Sequence, residues 1–343
     1  MNLEFNSIVK ILKSSLAETL VSYYAFSGDK VENSLKEVNF YNPDESIEGK
    51  FVPKKKHGVL AIQMQVTQLN CGGTIVGCTF DHRVADAYSA NLFLVSWSEL
   101  AQSKPLSQLP SFRRSSLFPR HPGYYDDSID DLYVLLSTLP PMKSEIFYPT
   151  DQFISRIYYV TGDKIEYLQS LANCHDNQKG TSQRSKLESF SAFLWKTIAC
   201  GINKETWGFN NFRFGIVVDG RTRLIINNVD KSLKGYFDWV EAPRPEPSMA
   251  KIYAMNGDGP AVIVSSRQHF PAKKLNFGWG EPVFWSYHFP WAGKAGYVMP
   301  MPIHKGNGDW IVYMHLLKCQ IELIETSPYH VFKPVTAYYL NLI

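Results

Sequence analysis

The feature that most constrains the fold is an apolar run that ends just before a histidine and is followed by a helical pattern. Residues 74–78 are apolar and rich in β-branched side chains, which predicts a buried strand. From Ala87 onward, apolar side chains recur at helical spacing, so we expect a helix to begin near Asp86. His82 therefore lies between two rigid elements that hold its backbone, a position from which an imidazole can face a cleft.

Two interpretations of His82 and Asp86 are open at this point. In the first, His82 is a structural histidine at a strand end and Asp86 is an acid favoured by the helix dipole. In the second, His82 is a general base and Asp86 maintains the architecture around it. The H-x-x-x-D spacing is common by chance and does not decide between them. A zinc site would need a third ligand at a suitable spacing, and since the sequence shows none, we expect no metal.

The length of the chain predicts two domains, because 343 residues exceed the size at which one hydrophobic core keeps growing. The net charge of +3 is too small to indicate a nucleic-acid partner. Aromatic residues reach 14%, which suits either a large apolar cavity or an aromatic-rich core. Five cysteines occur without a C-x-x-C pair, which is typical of reduced thiols. With no signal-peptide pattern and no apolar stretch long enough to span a membrane, we expect a cytoplasmic protein.

The first half of the chain predicts a helix over residues 6–24 and a strand over residues 58–66. Residues 103–150 are rich in proline and lack periodicity, which indicates a long crossover between domains. We therefore expect an N-terminal domain, a crossover linker and a C-terminal domain with the bounds 1–120, 121–150 and 151–343.

The second half alternates strand and helix patterns. Ser185 and Glu188 fit a capping box at the start of a helix. The apolar face of that helix is expected to consist of Phe190, Phe193, Leu194, Trp195 and Ile198. A helix is predicted over 163–173, and strands are predicted over 154–160, 212–218, 261–267 and 309–317, the second of them buried. The turn after residues 212–218 contains Asp219 and Arg221, which suit either a surface turn or an internal ion-pair site.

Two motifs resemble the signature pair of the plant BAHD acyltransferases, which are CoA-thioester-dependent enzymes. Residues 82–86 (HRVAD) are similar to the H-x-x-x-D motif of that family. Residues 276–280 (NFGWG) are similar to its D-F-G-W-G motif, with asparagine in place of aspartate. Residues 218–223 (VDGRTR) lie between the two, and the order and wide separation make the match specific. The resemblance covers nearly the whole chain and is greatest for hydroxycinnamoyltransferase-like members.

The resemblance implies an α/β fold of two similar chloramphenicol-acetyltransferase-like domains. Each would be a mixed sheet flanked by helices, with a channel between them. It implies a CoA-dependent O-acyltransferase of plant secondary metabolism, which moves a hydroxycinnamoyl, acetyl or similar group from acyl-CoA to an alcohol acceptor. Acyl-CoA would be a co-substrate, no cofactor would be permanently bound, and the protein would be a monomer.

The resemblance also implies roles for individual residues. His82 would be the general base, acting without a covalent acyl-enzyme, and Ser265 would donate to the oxyanion. Asp86 would form a buried ion pair with Arg221 that fixes the loop around His82. Contacts with CoA or substrate would be made by Lys186, Ser189 and Arg267. A structural turn would be formed by Asn276, Phe277, Gly278, Trp279 and Gly280, a packing corner that carries no reacting group.

Family members contain segments that this chain lacks. One of them, with the letters Y-F-G-N, normally lies between the positions of Arg223 and Asp238. Two alternatives to an active transferase therefore stay open. The chain could be a truncated, catalytically inactive BAHD-like protein, or a protein that binds acyl-CoA or a phenolic ligand without turnover.

Overall fold

The computed structural model describes residues 4–23, 41–47, 51–53, 62–69, 72–82, 84–112, 119–120, 122–139, 153–173, 183–201, 212–221, 231–254, 261–265, 274–289, 295–303 and 308–340. The elements of the first half are α1 (Phe5–Ser22), α2 (Pro43–Ser46), β1 (Gln63–Gln68), β2 (Thr74–Thr79), α3 (Ala87–Ala101), α4 (Ile129–Leu132) and β3 (Tyr133–Leu135). Those of the second half are β4 (Phe153–Val160), α5 (Gly162–Asn173), α6 (Lys186–Gly201), β5 (Arg213–Val217), α7 (Lys231–Glu241), β6 (Ser248–Ala250), β7 (Ala261–Ser265), β8 (Ala295–Pro302), β9 (Trp310–Leu317), α8 (Lys318–Glu325) and β10 (Lys333–Pro334).

The first half is built from the antiparallel hairpin of β1 and β2, with α1 and α3 packed beside it. Trp97 of α3 is buried, and its indole nitrogen donates to the carbonyl oxygen of Leu12 in α1 at 3.0 Å. The predicted helices α1 and α3 are confirmed. β1 confirms the later part of the predicted strand 58–66, while residues 58–61 lie outside the described residues.

β2 is a strand as predicted, but the expectation that it is buried is wrong. Most of its side chains are half-buried, because β1 is its only hydrogen-bonded neighbour in the described part of the chain. Gly77 is the exception and is buried. A Cβ at this position would lie 1.9 Å from the carbonyl oxygen of Phe51, so only glycine permits this approach of the two backbones.

Part of the predicted linker is packed into the fold. Residues 122–139 contain α4, β3 and a short 3₁₀ helix, and β3 pairs with β6. The Asp238 carboxylate in α7 is buried and accepts from the backbone nitrogen and Nε of Arg120, both at 2.7 Å. The indole of Trp239 donates to Asp130 at 2.7 Å. Elements of three or four residues are too short to produce a periodic pattern, which is why the sequence shows none here.

The second half is dominated by a six-stranded mixed sheet with the order β10-β4-β9-β8-β7-β5. β9 is central, and all eight of its residues are buried. One face of the sheet packs against α5, α6 and α8. The other face carries Tyr313, Met299 and Met301 and is covered by partly buried aromatic side chains of the segment 284–289. The expectation of a mixed α/β fold is confirmed.

Two predictions of burial in the second half are wrong. β5 was expected to be a buried strand, but it ends the sheet in the described part of the chain, and Ile216 and Val217 are 40% and 44% exposed. Trp195 was expected on the buried face of α6, yet it is 47% exposed and stacks on Phe214 of β5. Both errors have the same cause. The local patterns are typical of buried residues, but these residues lie at an edge of the sheet, and only the strand order determines which strand forms that edge.

Candidate active site

His82 lies in a short turn between β2 and α3, with its side chain exposed. The carbonyl oxygen of the buried Asp81 accepts from the backbone nitrogens of Val84 at 2.9 Å and Ala85 at 3.4 Å, which closes the turn. The imidazole has two phenyl rings as neighbours, with its centroid 6.4 Å from that of Phe80 and 6.2 Å from that of Phe289. The ring is thus supported by aromatic neighbours and is not enclosed by packing.

Asp86 is the N-cap of α3. Its Oδ1 accepts from the backbone nitrogen of Ser89 at 3.0 Å, and its Oδ2 accepts from Nη2 of Arg221 at 2.8 Å. The same guanidinium lies 4.7 Å from the ring centroid of Tyr88 and also contacts Asp219 at 3.3 Å. Both carboxylate oxygens of Asp86 are therefore engaged in positioning, and neither is directed to His82.

The ion pair between Asp86 and Arg221 is present, but the expectation that it is buried is wrong. Both side chains are 42% exposed, so water screens the interaction. Partial burial would raise the pKa of Asp86, but hydrogen bonds from Ser89 and Arg221 outweigh this effect and lower the pKa below its ordinary value. Asp86 is accordingly ionised at neutral pH, and the pair joins the second half of the chain to the start of α3.

The turn at residues 276–280 packs against the other end of α3. Phe277 is buried with its ring 4.9 Å from that of Trp97 and nearly perpendicular to it, and Trp279 stacks on Phe277. Oδ1 of Asn276 accepts from the backbone nitrogen of Gly278 at 2.8 Å, and Gln102 donates to the carbonyl oxygen of Asn276. An amide oxygen can accept this bond as a carboxylate would, so asparagine is compatible with the turn.

Gly278 and Gly280 are required by the backbone of this turn. Their φ angles are +100° and +129°, in the region that side chains other than glycine rarely adopt. The turn presents no titratable group, in agreement with its interpretation as a packing corner.

The segment 274–289 runs along α3 from one end to the other. Its first residues contact Trp97 and Gln102 near the end of the helix, as described above. Farther along, the hydroxyl of Tyr287 contacts the side-chain amide of Asn91, and Phe289 reaches His82. The segment 274–289 of the second half therefore connects the glycine-rich turn with His82.

Next to Phe289 lies a buried polar network that no local sequence pattern predicted. The backbone nitrogen of Phe289 donates to the hydroxyl of Tyr313 at 3.0 Å. This hydroxyl lies 3.0 Å from Oγ of Ser155, which in turn lies 3.0 Å from Nδ1 of His315. All three of these side chains are buried. The available signal was the presence of Ser155 and His315 within otherwise apolar strand patterns, and the two are directly paired in the register of β4 and β9.

The remaining predicted site residues make no hydrogen bond or ion pair with His82 in the part of the chain that the structure describes. Ser265 ends β7 opposite Val217, and within the described ranges no hydrogen bond joins it to His82. Lys186 begins α6, and its Nζ lies 3.2 Å from Glu166. Ser189 is buried, and its hydroxyl donates to the carbonyl oxygen of Ser185 at 3.0 Å, so it is not open to a ligand. Arg267 lies outside the described residues.

The predicted capping box at the start of α6 is confirmed. The Glu188 carboxylate accepts from the backbone nitrogen of Ser185 at 2.7 Å, and the Ser185 hydroxyl accepts from the backbone nitrogen of Glu188 at 3.2 Å. Lys186 is thereby held at a rigid helix start, with its side chain 38% exposed.

Other chemical groups near the site are less suited to catalysis. Burial raises the pKa of Cys78 to about 12, so this thiol is protonated at neutral pH and is a poor nucleophile.

Among the residues that the structure describes, no group of three or more histidine, cysteine or acidic side chains could hold a metal ion. Within the same described residues, no helix has the length and apolar character needed to cross a membrane.

Comparisons with known proteins identify relatives along most of the chain. A family model described as the Transferase family matches residues 29–237 and 225–331. Salutaridinol 7-O-acetyltransferase of Papaver somniferum is 26% identical over 229 residues, with 55% of this chain and 45% of that enzyme covered. A hydroxycinnamoyltransferase of Narcissus pseudonarcissus is 26% identical over 405 residues, with 92% of this chain and 87% of that protein covered.

The second of these alignments is longer than the chain itself, which has 343 residues. The relative therefore contains segments that this chain lacks. The first alignment spans less than half of the relative's length.

Solved structures share the fold. One of them is the crystal structure of TRI101 from F. sporotrichioides, complexed with coenzyme A and T-2. Its alignment with this chain has a TM-score of 0.73 and 12% sequence identity, and it covers 96% of this chain and 92% of that chain. The likeness confirms the predicted fold class. At this identity it supports the fold alone.

Proposed function

Because this chain belongs to the Transferase family, that of the BAHD acyltransferases, we propose that it transfers an acyl group from acyl-CoA to the hydroxyl of a small alcohol. The observation that carries the proposal is the exposed imidazole of His82, which has two aromatic rings as neighbours and precedes the anchored N-cap Asp86 by four residues. A structural histidine at a strand end would be expected to bury its ring and satisfy both nitrogens within the protein.

His82 acts as the general base. A neutral alcohol attacks a thioester slowly, so removing its proton as the new bond forms accelerates the reaction by about 10²–10⁴-fold. The alcohol oxygen bonds to the acyl carbon while His82 takes the proton. The tetrahedral intermediate then collapses, the carbon–sulfur bond breaks, and the imidazolium returns the proton to the CoA thiolate. The products are an ester and free CoA, and the enzyme ends in its starting protonation state.

Asp86 supports the site without exchanging protons with His82. Its oxygens are occupied by Ser89 and Arg221, and its lowered pKa keeps it ionised. Since Arg221 belongs to the turn after β5, the ion pair fixes the start of α3 relative to the second half. His82 precedes Asp86 by four residues, so the backbone position of His82 depends on the ion pair of Asp86 with Arg221.

The nucleophile is the acceptor alcohol, and no covalent acyl-enzyme forms. The protonated state of Cys78 supports this direct transfer. We assign the oxyanion donor to the hydroxyl of Ser265. Lys186 binds CoA through its positive charge, and Arg267 contacts the acceptor. Ser189 contributes by stabilising the helix start, since its hydroxyl is used within α6.

We propose an acetyl or hydroxycinnamoyl donor and an alcohol acceptor of plant secondary metabolism. The names of the relatives salutaridinol 7-O-acetyltransferase and hydroxycinnamoyltransferase support the choice of these donors. We further propose that acyl-CoA is a transient co-substrate and that the protein works as a monomer in the cytoplasm. The free thiols of Cys78, Cys200 and Cys319 are compatible with such a reducing compartment.

A second candidate function is binding of acyl-CoA or a phenolic ligand without turnover. The observation that favours it is the set of segments present in the Narcissus relative and missing from this chain. Loss of part of a channel wall would leave the ligand site while impairing catalysis.

Release of free CoA distinguishes the two functions. Purified protein is incubated with acetyl-CoA, caffeoyl-CoA and feruloyl-CoA in the presence of a panel of phenolic and aliphatic alcohols, and free thiol is followed over time. An acyltransferase releases thiol only when a suitable acceptor is present, and the variant His82→Asn abolishes the release. The matched control is His330→Asn, since His330 is also exposed and its φ of +46° is tolerated by asparagine. Tight CoA binding without acceptor-dependent release would establish the binding protein instead.

A further inference from the structure

Phe289 is one of the two aromatic neighbours of His82. The two rings meet edge to face, with 6.2 Å between their centroids. Phe289 belongs to residues 281–289, which form neither helix nor strand. Its backbone is therefore not held by sheet or helix hydrogen bonds, and the contacts of the segment must determine where the phenyl ring lies.

One such contact is the hydrogen bond from the backbone nitrogen of Phe289 to the hydroxyl of Tyr313, at 3.0 Å. Tyr313 is fully buried in the central strand β9. It is paired with Ile157 of β4 on one side and with Met299 of β8 on the other. The hydroxyl is therefore a fixed point on the sheet, to which the irregular segment is attached.

The Tyr313 hydroxyl is itself oriented by the buried polar network. If the Phe289 nitrogen donates to Tyr313, the Tyr313 hydroxyl can donate to Ser155, and Ser155 can donate to Nδ1 of His315. In this arrangement each hydroxyl accepts one bond and donates one, and His315 carries its proton on Nε2. A network that satisfies all of its members rigidifies the groups that it contains.

We propose that Tyr313 is a positioning residue for His82, acting through the Phe289 backbone and the phenyl ring. The inference rests on the proposed function, because it assigns a role in orienting the general base. Loss of the hydroxyl removes the attachment of the Phe289 backbone to the sheet, while its ring still packs on Tyr297 of β8, and the looser Phe289 lets the His82 ring leave its productive orientation. Displacing a catalytic group by about 1 Å can lower a rate by about 10²-fold, so the effect on turnover is measurable.

The variant Tyr313→Phe removes only the hydroxyl and keeps the buried ring. The matched control is Tyr158→Phe. Tyr158 is also fully buried in the same sheet, on β4, but its ring packs on the opposite face and its hydroxyl donates to Glu325 at 2.7 Å. Both variants lose one buried tyrosine hydroxyl, and only Tyr313→Phe breaks the connection to Phe289.

The experiment has a spectroscopic and a kinetic readout. The full chain is labelled with ¹³C at Cε1 of histidine, and the His82 resonance is assigned by its absence in His82→Asn. In Tyr313→Phe we expect the His82 resonance to shift, because the ring current of Phe289 acts on it, and we expect no shift in Tyr158→Phe. With an acyl-CoA that is turned over, we expect kcat to fall by about tenfold or more in Tyr313→Phe with KM within about twofold of wild type.

An unshifted His82 resonance in Tyr313→Phe, or equal shifts in both variants, would overturn the proposal. So would a loss of kcat that is equal in both variants, since that would reflect general destabilisation. If no acyl-CoA is turned over, the proposed function fails, yet the histidine spectra still decide whether Tyr313 positions His82.

Discussion

Replacing Asp86 by alanine and by serine separates the two contacts of its carboxylate. Alanine removes both the cap to the Ser89 nitrogen and the ion pair with Arg221. Serine is a comparably good N-cap, so Asp86→Ser keeps the cap and loses the pair. The two variants therefore assign a free energy to each contact without changing any other residue.

The expected magnitudes follow from the exposure of the pair. Two side chains that are each 42% exposed form a screened ion pair, which contributes about 0.2–1 kcal/mol. The cap contributes about 1 kcal/mol. We therefore expect Asp86→Ser to lower the free energy of unfolding by about 0.2–1 kcal/mol, and Asp86→Ala to lower it by about 1–2 kcal/mol.

Urea unfolding followed by circular dichroism and by tryptophan fluorescence measures both values. The control is the background variant Arg221→Ala, in which the serine substitution should have almost no further cost because its ion-pair partner is already absent. A loss of about 3–5 kcal/mol for Asp86→Ser is typical of breaking a buried pair from one side and would refute the reasoning.

Three further predictions concern stability. Because the folded-state pKa of Asp86 is lowered, its contribution to stability is complete above the ordinary value of about 3.9 and is lost as the pH falls through the folded-state value. The difference in unfolding free energy between wild type and Asp86→Ser should therefore begin to shrink at about pH 4 and vanish once the pH is below the folded-state pKa, and a constant difference would contradict this. Asp238→Asn should cost about 1–3 kcal/mol in urea unfolding, because the buried carboxylate loses its charge-assisted hydrogen bonds from Arg120, whose side chain is 40% exposed and therefore partly screened by water. The exposed control Asp131→Asn should change stability by less than about 0.5 kcal/mol, and equal effects would show that the contact is unimportant. Gly278→Ala should lower the free energy of unfolding by about 1–3 kcal/mol, because φ is +100° and the new Cβ would lie 3.2 Å from Cγ of Gln102. An unchanged midpoint of urea unfolding would show that the turn adapts to the side chain.

Local patterns in the sequence predicted local structure well. The capping box of Ser185 and Glu188 depends on residues three positions apart, and both of its hydrogen bonds are present. The start of α3 at Asp86 depends on the same kind of signal. The contact of Asp86 with Arg221, which joins residues far apart in the chain, was expected only from the resemblance to the BAHD family.

Features that depend on the arrangement of strands could not be read from the sequence. The pattern of residues 212–218 is that of a buried strand, but burial is lost because β5 ends the described sheet. The network behind Phe289 requires Ser155 and His315 to be opposite each other in the register of β4 and β9. A one-residue shift of that register would have placed them on different faces, so no local pattern could predict the contact.

The exposure of the Asp86–Arg221 pair was also beyond the sequence. Charge and spacing are the same for a buried and an exposed pair, and only the packing around Tyr88 and Ser89 determines how much water reaches it. The resemblance therefore predicted Arg221 correctly as the ion-pair partner of Asp86, but the contribution of the pair to the free energy of unfolding was not predicted correctly.

The central claim is that the exposed imidazole of His82 removes the proton of the acceptor alcohol. Its most direct test compares wild type and His82→Asn after both have been shown by calorimetry to bind the same acyl-CoA, with the ester product then measured by mass spectrometry in a single turnover. The account predicts similar acyl-CoA affinity and a fall in the rate of ester formation of at least about 10²-fold in His82→Asn. Ester formation by His82→Asn at a rate close to that of wild type would contradict it.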